Sequence, residues 1–302
     1  MASTQSTWSP GSEPDAFTRE KGSSGFGEIV VFIDGCFGTE GILEFASALA
    51  EPHGARLISV FMQRQPTVTP AETFARGKGM QRVMEVHRAE LEVVEAEHRA
   101  LFEGIVRRHG IQSGWRSLPY NMSTEVGVYA YYADLIVVAR PDPADYTAGP
   151  PRLAESLVLT SGRPIIVFPI GSTVSRIRRI LVAWNARREA IRAVADALPL
   201  LLRADAVEVL VVEDQHHAAG HEQEPGADIV RHLARRGAQV GVRRLSSGGD
   251  AMGHLLLSQA ISFGADLVVM GAYGHSHLSE WMFGSVTRTV LREASLPVLM
   301  SR

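Results

Sequence analysis

The chain has 302 residues, of which 45% are hydrophobic and 21% are charged, and its formal net charge is −3. This length predicts two domains of about 140 residues each, because single hydrophobic cores seldom grow much larger. The near-neutral charge disfavours nucleic-acid binding, and no apolar run approaches the roughly 18 residues that cross a bilayer. We therefore expect a soluble protein without a nucleic-acid or membrane partner.

The first 27 residues are polar and rich in Gly, Ser and Pro. They lack the apolar core of a signal peptide, so a disordered N-terminal arm is expected over 1–27. The single cysteine, Cys36, excludes an intrachain disulfide and favours a reducing, cytoplasmic location.

Residues 28–170 alternate short β-branched runs with helical patterns, which indicates βα units that build a parallel sheet. Apolar runs such as Leu135-Ile136-Val137-Val138 fit strands that are buried on both faces. Apolar residues at helical spacing predict one long helix over 79–109. The strands predicted in this first domain are 28–33, 56–61, 115–118, 134–138 and 165–168.

Residues 176–302 repeat this pattern after a linker at 169–173. The segment Ala133-Asp134-Leu135-Ile136-Val137-Val138-Ala139 resembles Ala265-Asp266-Leu267-Val268-Val269-Met270-Gly271, which indicates an internal repeat. The fold class is therefore α/β, with two successive domains that carry helices on both faces of a sheet. The strands predicted in the second domain are 179–184, 207–212, 239–243, 267–270 and 298–300.

The most specific local feature is Gly271-Ala272-Tyr273-Gly274, followed after nine residues by Gly284-Ser285. It begins where the fourth strand of the second domain ends, and ligands of open α/β sheets bind beyond the carboxyl ends of strands. The glycines would let the backbone approach a ligand closely. Gly284-Ser285 would open the last helix, whose free N–H groups favour a phosphate, with the Ser285 and Thr287 hydroxyls as further donors. Tight strand-to-helix turns are the alternative reason for the glycines.

This spacing resembles the nucleotide loop of ATP-binding universal stress proteins. The resemblance implies two family domains after residue 27, each with a five-stranded parallel sheet of order 3-2-1-4-5. It implies ATP, ADP or AMP as the ligand, with Mg²⁺ as a candidate companion ion. The nucleotide-binding positions that it implies are Ala183, Asn185, Val212, Glu213, Met270, Gly271, Gly274, His275, Gly284, Ser285, Val286 and Thr287. Asn185 departs from the family, which usually has Asp there.

The N-terminal copy lacks the same loop. Ala139-Arg140-Pro141-Asp142 stands where the loop would begin, and Pro151-Arg152 replaces the later Gly-Ser pair. Proline has no N–H to donate and Asp142 would repel phosphate, so this copy is expected to be degenerate. Arg140 or Arg152 could hold a different anion there.

Three functions stay open at this point. The first is a nucleotide-regulated binding module in the stress response. The second is a slow Mg²⁺-dependent ATP hydrolase assisted by His275 and His277, although no Walker lysine and no catalytic residue can be assigned. The third is a ligand-free scaffold. His216, His217 and His221 are interpreted as a solvated loop, so no metal site is predicted.

The resemblance also bears on assembly. Family members pair their fifth strands between subunits, and here the strands 165–168 and 298–300 could pair within one chain as an intrachain pseudo-dimer. A further homodimer is an additional expectation.

Overall fold

The computed structural model of the protein describes residues 25–35, 38–63, 77–119, 126–140, 153–213, 226–246, 252–273 and 285–302. Residues 28–170 are called the N-terminal half and residues 176–302 the C-terminal half. The N-terminal half contains β1 (Glu28–Ile33), α1 (Thr39–Ala50), a 3₁₀ turn (Glu51–His53), β2 (Arg56–Met62), α2 (Lys78–His109), β3 (Ser113–Leu118), α3 (Val126–Ala130), β4 (Leu135–Ala139), α4 (Leu153–Thr160) and β5 (Ile165–Phe168).

The C-terminal half follows the same order of elements. It contains β6 (Arg179–Trp184), α5 (Arg188–Leu201), β7 (Ala206–Glu213), α6 (Ala227–Arg235), β8 (Val240–Ser246), α7 (Met252–Phe263), β9 (Leu267–Gly271), α8 (Ser285–Glu293) and β10 (Val298–Ser301). All ten predicted strands are present, and the long predicted helix is α2. The predicted α/β class is confirmed.

The strands form one sheet in the order β3-β2-β1-β4-β5-β10-β9-β6-β7-β8. The N-terminal half thus has the order 3-2-1-4-5, and the C-terminal half has the corresponding order when read from its own edge. Every neighbouring pair is parallel except β5 and β10, which pair antiparallel with Leu299 opposite Ile166. The two fifth strands therefore pair within one chain.

The core continues across the junction of β5 and β10. On one face of the sheet, Ile166 and Phe168 of the N-terminal half belong to the same buried cluster as Leu299 of the C-terminal half. Helices α1 and α5 cover this face, while α4, α7 and α8 cover the other. The two halves are consequently packed as one hydrophobic unit.

An aspartate precedes the fourth strand in both halves and explains the repeated Ala-Asp-Leu segment. Asp134 Oδ2 accepts the N–H groups of Gly27 at 2.6 Å and Glu28 at 3.1 Å. Asp266 Oδ2 accepts those of Arg178 at 2.9 Å and Arg179 at 2.8 Å. Each carboxylate thereby ties the start of the first strand to the start of the fourth, and satisfies two backbone donors.

His109 ends α2 and lies between two carboxylates. Its Nδ1 atom is 2.8 Å from Glu51 Oε2 and its Nε2 atom is 3.1 Å from Glu44 Oε2, and Arg108 also contacts Glu44. Desolvation lowers the pKa of His109, but the hydrogen bonds to Glu51 and Glu44 outweigh it, so the pKa is raised. A doubly hydrogen-bonded imidazolium thus fastens α2 to the end of α1.

We expect His109→Gln to lower the free energy of unfolding more at acidic pH than at alkaline pH. The raised pKa means that the folded state holds the proton more tightly than the unfolded state. The contribution to stability is complete below about pH 6.5 and is lost as the pH rises through the folded-state pKa. Urea unfolding should show a loss of up to about 1 kcal/mol near pH 6 and little loss near pH 8.5.

His232→Gln is the matched control, because His232 lies exposed on α6. Equal losses at both pH values in His109→Gln would contradict the role of the imidazolium.

No helix in the described ranges combines the length and apolarity that a membrane crossing requires.

Candidate functional site

Three strand ends of the C-terminal half meet at one edge of the sheet. Strand β6 pairs with β7 on one side and with β9 on the other. The register sets Trp184 beside Val211, and Val182 beside Val269, so the residues that follow on each strand lie at the same level. The predicted site residues at these ends are Ala183 on β6, Asn185 just after it, Val212 and Glu213 on β7, and Met270 and Gly271 on β9.

The rest of the predicted site is only partly described. Ser285 is the first residue of α8, and Val286 and Thr287 follow in its first turn. Gly274, His275 and Gly284 lie outside the described residues. The buried Thr287 lies two residues into α8 and contacts Tyr273, which follows β9. The start of α8 therefore lies at the same edge of the sheet as the three strand ends.

Asn185 forms a local turn after β6. Its Oδ1 atom accepts the N–H of Arg187 at 3.1 Å, and Ala186 between them has a φ of 56°. Such a side-chain turn is a common way for Asn to lead a strand into a helix. The amide oxygen is therefore engaged with the backbone, which leaves the amide nitrogen as the group that could contact a sugar.

Gly271 lies directly against the first turn of α5. A Cβ atom at this position would stand 2.6 Å from the backbone nitrogen of Ala190 and from the carbonyl carbon of Glu189. Real Cβ atoms do not approach backbone so closely, so only glycine lets β9 and α5 pack in this way. The protein's own packing thus requires Gly271, and no ligand is needed to explain this glycine.

Glu189 is a buried residue that sequence reasoning missed. Burial would raise the pKa of its carboxyl group, but its own backbone N–H and the side chain of Arg188 outweigh that effect, and the pKa is lowered. Arg188 Nε is 3.2 Å from Glu189 Oε1. An ionised carboxylate, paired with Arg188, therefore lies in the first turn of α5. The sequence signal for it was an acidic residue in the first helical turn.

Thr287 connects α8 to the end of β9. Its Oγ1 atom accepts the N–H of Tyr273 at 3.3 Å, and the side chain is buried. Tyr273 has a φ of 57°, and Ala272 N–H donates to the carbonyl of Ser301 at 2.8 Å. The Thr287 hydroxyl thus anchors the chain as it leaves β9, and its further role as a phosphate donor stays a prediction.

Comparison with known proteins finds a family match within this half and a shared fold over most of the chain. Residues 176–302 match the Universal stress protein family. Two solved structures share the fold of almost the whole chain. A universal stress protein from Archaeoglobus fulgidus DSM 4304 has a TM-score of 0.62 and 14% identity, covering 91% of this chain and 96% of its own. A protein of unknown function from Pseudomonas aeruginosa PAO1 has a TM-score of 0.54 and 16% identity, covering 91% and 92%. No curated protein matches the sequence.

In the N-terminal half, α2 lies over the strand ends that correspond to the candidate site of the C-terminal half. A Cβ atom on Gly35, just after β1, would be 3.5 Å from Val94, His98 and Phe61. Two of these side chains belong to α2. The corresponding space beside the first strand is therefore filled from within the chain.

Glu95 fastens α2 in that position. Its carboxylate accepts the Trp115 Nε1–H at 3.2 Å, the Ser117 hydroxyl at 2.8 Å and the Gln63 amide at 3.2 Å. Phe61 and Trp115 also stack, with ring centroids 5.7 Å apart. The expectation that this half is degenerate rested on Pro141, Asp142 and Pro151, which lie outside the described residues, and α2 supplies a second reason.

Arg140 has a structural partner. Its Nη1 atom donates to the carbonyl of Arg292 at 2.7 Å, in the last turn of α8. Cations favour helix C-termini, where carbonyl groups lack intrahelical donors. Arg140 thus joins the two halves of the molecule, in contrast to the anion-holding role considered from the sequence.

Proposed function

We propose that the C-terminal universal stress protein domain binds an adenine nucleotide, ATP, ADP or AMP, and that the protein acts in the cytoplasm as a regulatory binding module of the stress response. The observation that carries this proposal is the convergence of the ends of β6, β7 and β9 with the start of α8, together with the nine residues that separate Gly274 from Gly284. A module of this kind changes its affinity for a partner when the nucleotide orders its loop.

The charges at this edge support a particular placement of the phosphates. The ionised Glu189 at the start of α5 is paired with Arg188, so this pair adds no net charge on that side. The start of α8 offers free backbone N–H groups and the positive end of the helix dipole. We therefore propose that the phosphates lie at Ser285 and Val286, and that the ribose and base lie toward Asn185 and β7.

Mg²⁺ would accompany a triphosphate in this arrangement. Within the ranges that the structure describes, no group of three or more His, Cys, Asp or Glu side chains is placed to hold a metal ion. Mg²⁺ commonly binds through substrate phosphates and a few carboxylates, so the nucleotide itself would carry it into the site.

We expect Gly284→Val to lower the affinity for MgATP by at least about 30-fold, equivalent to about 2 kcal/mol. A side chain at this position would crowd the backbone N–H groups at the start of the last helix, which are the proposed phosphate donors. Isothermal titration of the purified protein measures the effect, with Gly274→Val as a second loop variant. Ala139→Val is the control, because it alters the corresponding strand end of the N-terminal half and should leave the affinity unchanged.

Two further measurements distinguish this proposal from its alternatives. Mass spectrometry should find adenine nucleotide released from the purified protein or bound at one site per chain on titration. The absence of any bound or titratable nucleotide would contradict the proposal and favour a scaffold. Sustained MgATP turnover would favour the slow hydrolase.

Sedimentation would test the expected homodimer. It measures whether single chains, in which β5 and β10 already pair with each other, associate further.

A further inference from the structure

A cleft of about 740 Å³ lies between the two halves of the molecule, on the face covered by α1 and α5. Its walls come from α1 and the 3₁₀ turn of the N-terminal half, and from residues 175–178 and the end of α5 in the C-terminal half. Small-molecule sites commonly have this size and often lie between domains. The cleft is separate from the proposed nucleotide site, because α5 reaches that site with its first turn and the cleft with its last, roughly 20 Å away.

The floor of the cleft is apolar. Phe45 and Leu49 of α1 and Leu200 of α5 are buried, and the partly buried Ile177 packs beside them. A ligand that contacts this floor would remove apolar surface from water, which favours binding in proportion to the area covered.

The carboxylates around the cleft are already paired. Glu51 contacts His109, Glu44 contacts both His109 and Arg108, and Asp205 contacts Arg178 Nε at 2.6 Å. Two cations remain, Arg176 and Arg203, which both line the cleft. Neither guanidinium makes a hydrogen bond or an ion pair with any part of the chain that the structure describes. The mouth of the cleft therefore carries an uncompensated positive charge above an apolar floor.

We propose that this cleft is a second binding site, for a small organic anion that carries one acidic group on an apolar body. Arg176 and Arg203 bind the acidic group, and Phe45, Leu49 and Leu200 contact the body. Arginine suits this role because its planar donors match the geometry of carboxylate, sulfonate and phosphate oxygens. Since both halves line the cleft, an occupant would hold them together. The inference is independent of the proposed nucleotide site.

The test uses 2-naphthoate as the probe and the uncharged 2-naphthamide as its isosteric partner, both titrated into the full-length protein by calorimetry. We expect naphthoate to bind at least about 10-fold more tightly than the amide, a difference of about 1.4 kcal/mol. The double variant Arg176→Gln/Arg203→Gln should lose this preference and bind the two probes alike. Ala48→Trp, which places a ring in the cleft from the partly buried Ala48, should abolish binding of both.

The matched control is Arg235→Gln/Arg236→Gln, which removes the same charge from an exposed pair at the end of α6. Circular dichroism melting verifies that each variant is folded. The proposal is overturned if the two double variants bind naphthoate equally well, or if the unaltered protein binds no naphthoate at millimolar concentration.

Discussion

Gly271→Ala is expected to lower the free energy of unfolding by about 3 kcal/mol, the upper end of the usual cost of overpacking a core. The added methyl group would meet backbone atoms of Glu189 and Ala190 at 2.6 Å. Backbone cannot move aside as a flexible side chain can, so β9 and α5 must separate. These two elements make one of the most extensive helix-to-strand contacts in the C-terminal half, and their separation would loosen its core.

Guanidinium unfolding followed by circular dichroism measures this effect, and Gly241→Ala is the matched control. Gly241 lies in the edge strand β8, and a Cβ atom there would meet nothing within 4 Å. The control should change the stability by less than about 0.5 kcal/mol. Similar stabilities for the two variants would mean that Gly271 is not required for packing.

The stability of the Gly271 variant bears on how the proposed nucleotide site is tested. A Gly271 variant that lost nucleotide affinity could do so because α5 had moved, without any direct contact between glycine and ligand. Gly274 and Gly284 are the more informative positions for that reason, provided that each variant is compared at equal folded fraction.

Leu299→Ala is expected to cost about 3–4 kcal/mol, the usual loss for a large aliphatic side chain in a core that cannot collapse around the gap. Leu299 is fully buried in β10 and stands opposite Ile166 of β5. The buried cluster that contains both residues extends through the two halves. We therefore expect the substitution to destabilise both halves together.

Two tryptophans allow each half to be followed separately. Trp115 lies on β3 and Trp184 on β6, so variants that retain only one of these two among the chain's four tryptophans report on one half each. Leu299→Ala should shift both fluorescence transitions to lower denaturant concentration by the same amount. Ile261→Ala, at an exposed position on α7, should shift neither. A shift confined to Trp184 would show that the halves unfold independently.

Much of the fold could be predicted from local pattern. Apolar runs such as 135–138 and 267–270 identified the central strands, because a strand covered by helices on both faces needs apolar side chains in every position. The edge strands were harder. In β3 only Leu118 is fully buried and in β8 no residue is, and the predicted third strand begins at 115 whereas β3 begins at Ser113. Fewer neighbours constrain an edge strand, so its sequence carries a weaker signal.

The candidate site was likewise predicted in part from the sequence. The glycine spacing and the family resemblance predicted site residues at the ends of β6, β7 and β9. The strand register places those ends at one edge of the sheet. Glu189 was missed because its proximity to Gly271 joins parts of the chain that are distant in sequence. The position of α2 over Gly35 was missed for the same reason. The apolar stripe predicted that this helix packs, but not which strand ends it covers.

By itself, the sequence determined the elements, their repetition in two halves and the glycine spacing, because these depend on backbone preferences and on which side chains favour burial within a few residues. Only the tertiary structure showed why Gly271 must lack a side chain and that Arg140 donates a hydrogen bond to the end of α8 in the other half. It also showed that two arginines above an apolar cleft lack a partner among the described residues. Those properties arise from contacts between distant segments, and such contacts exist only after the whole sheet and its helices have packed together.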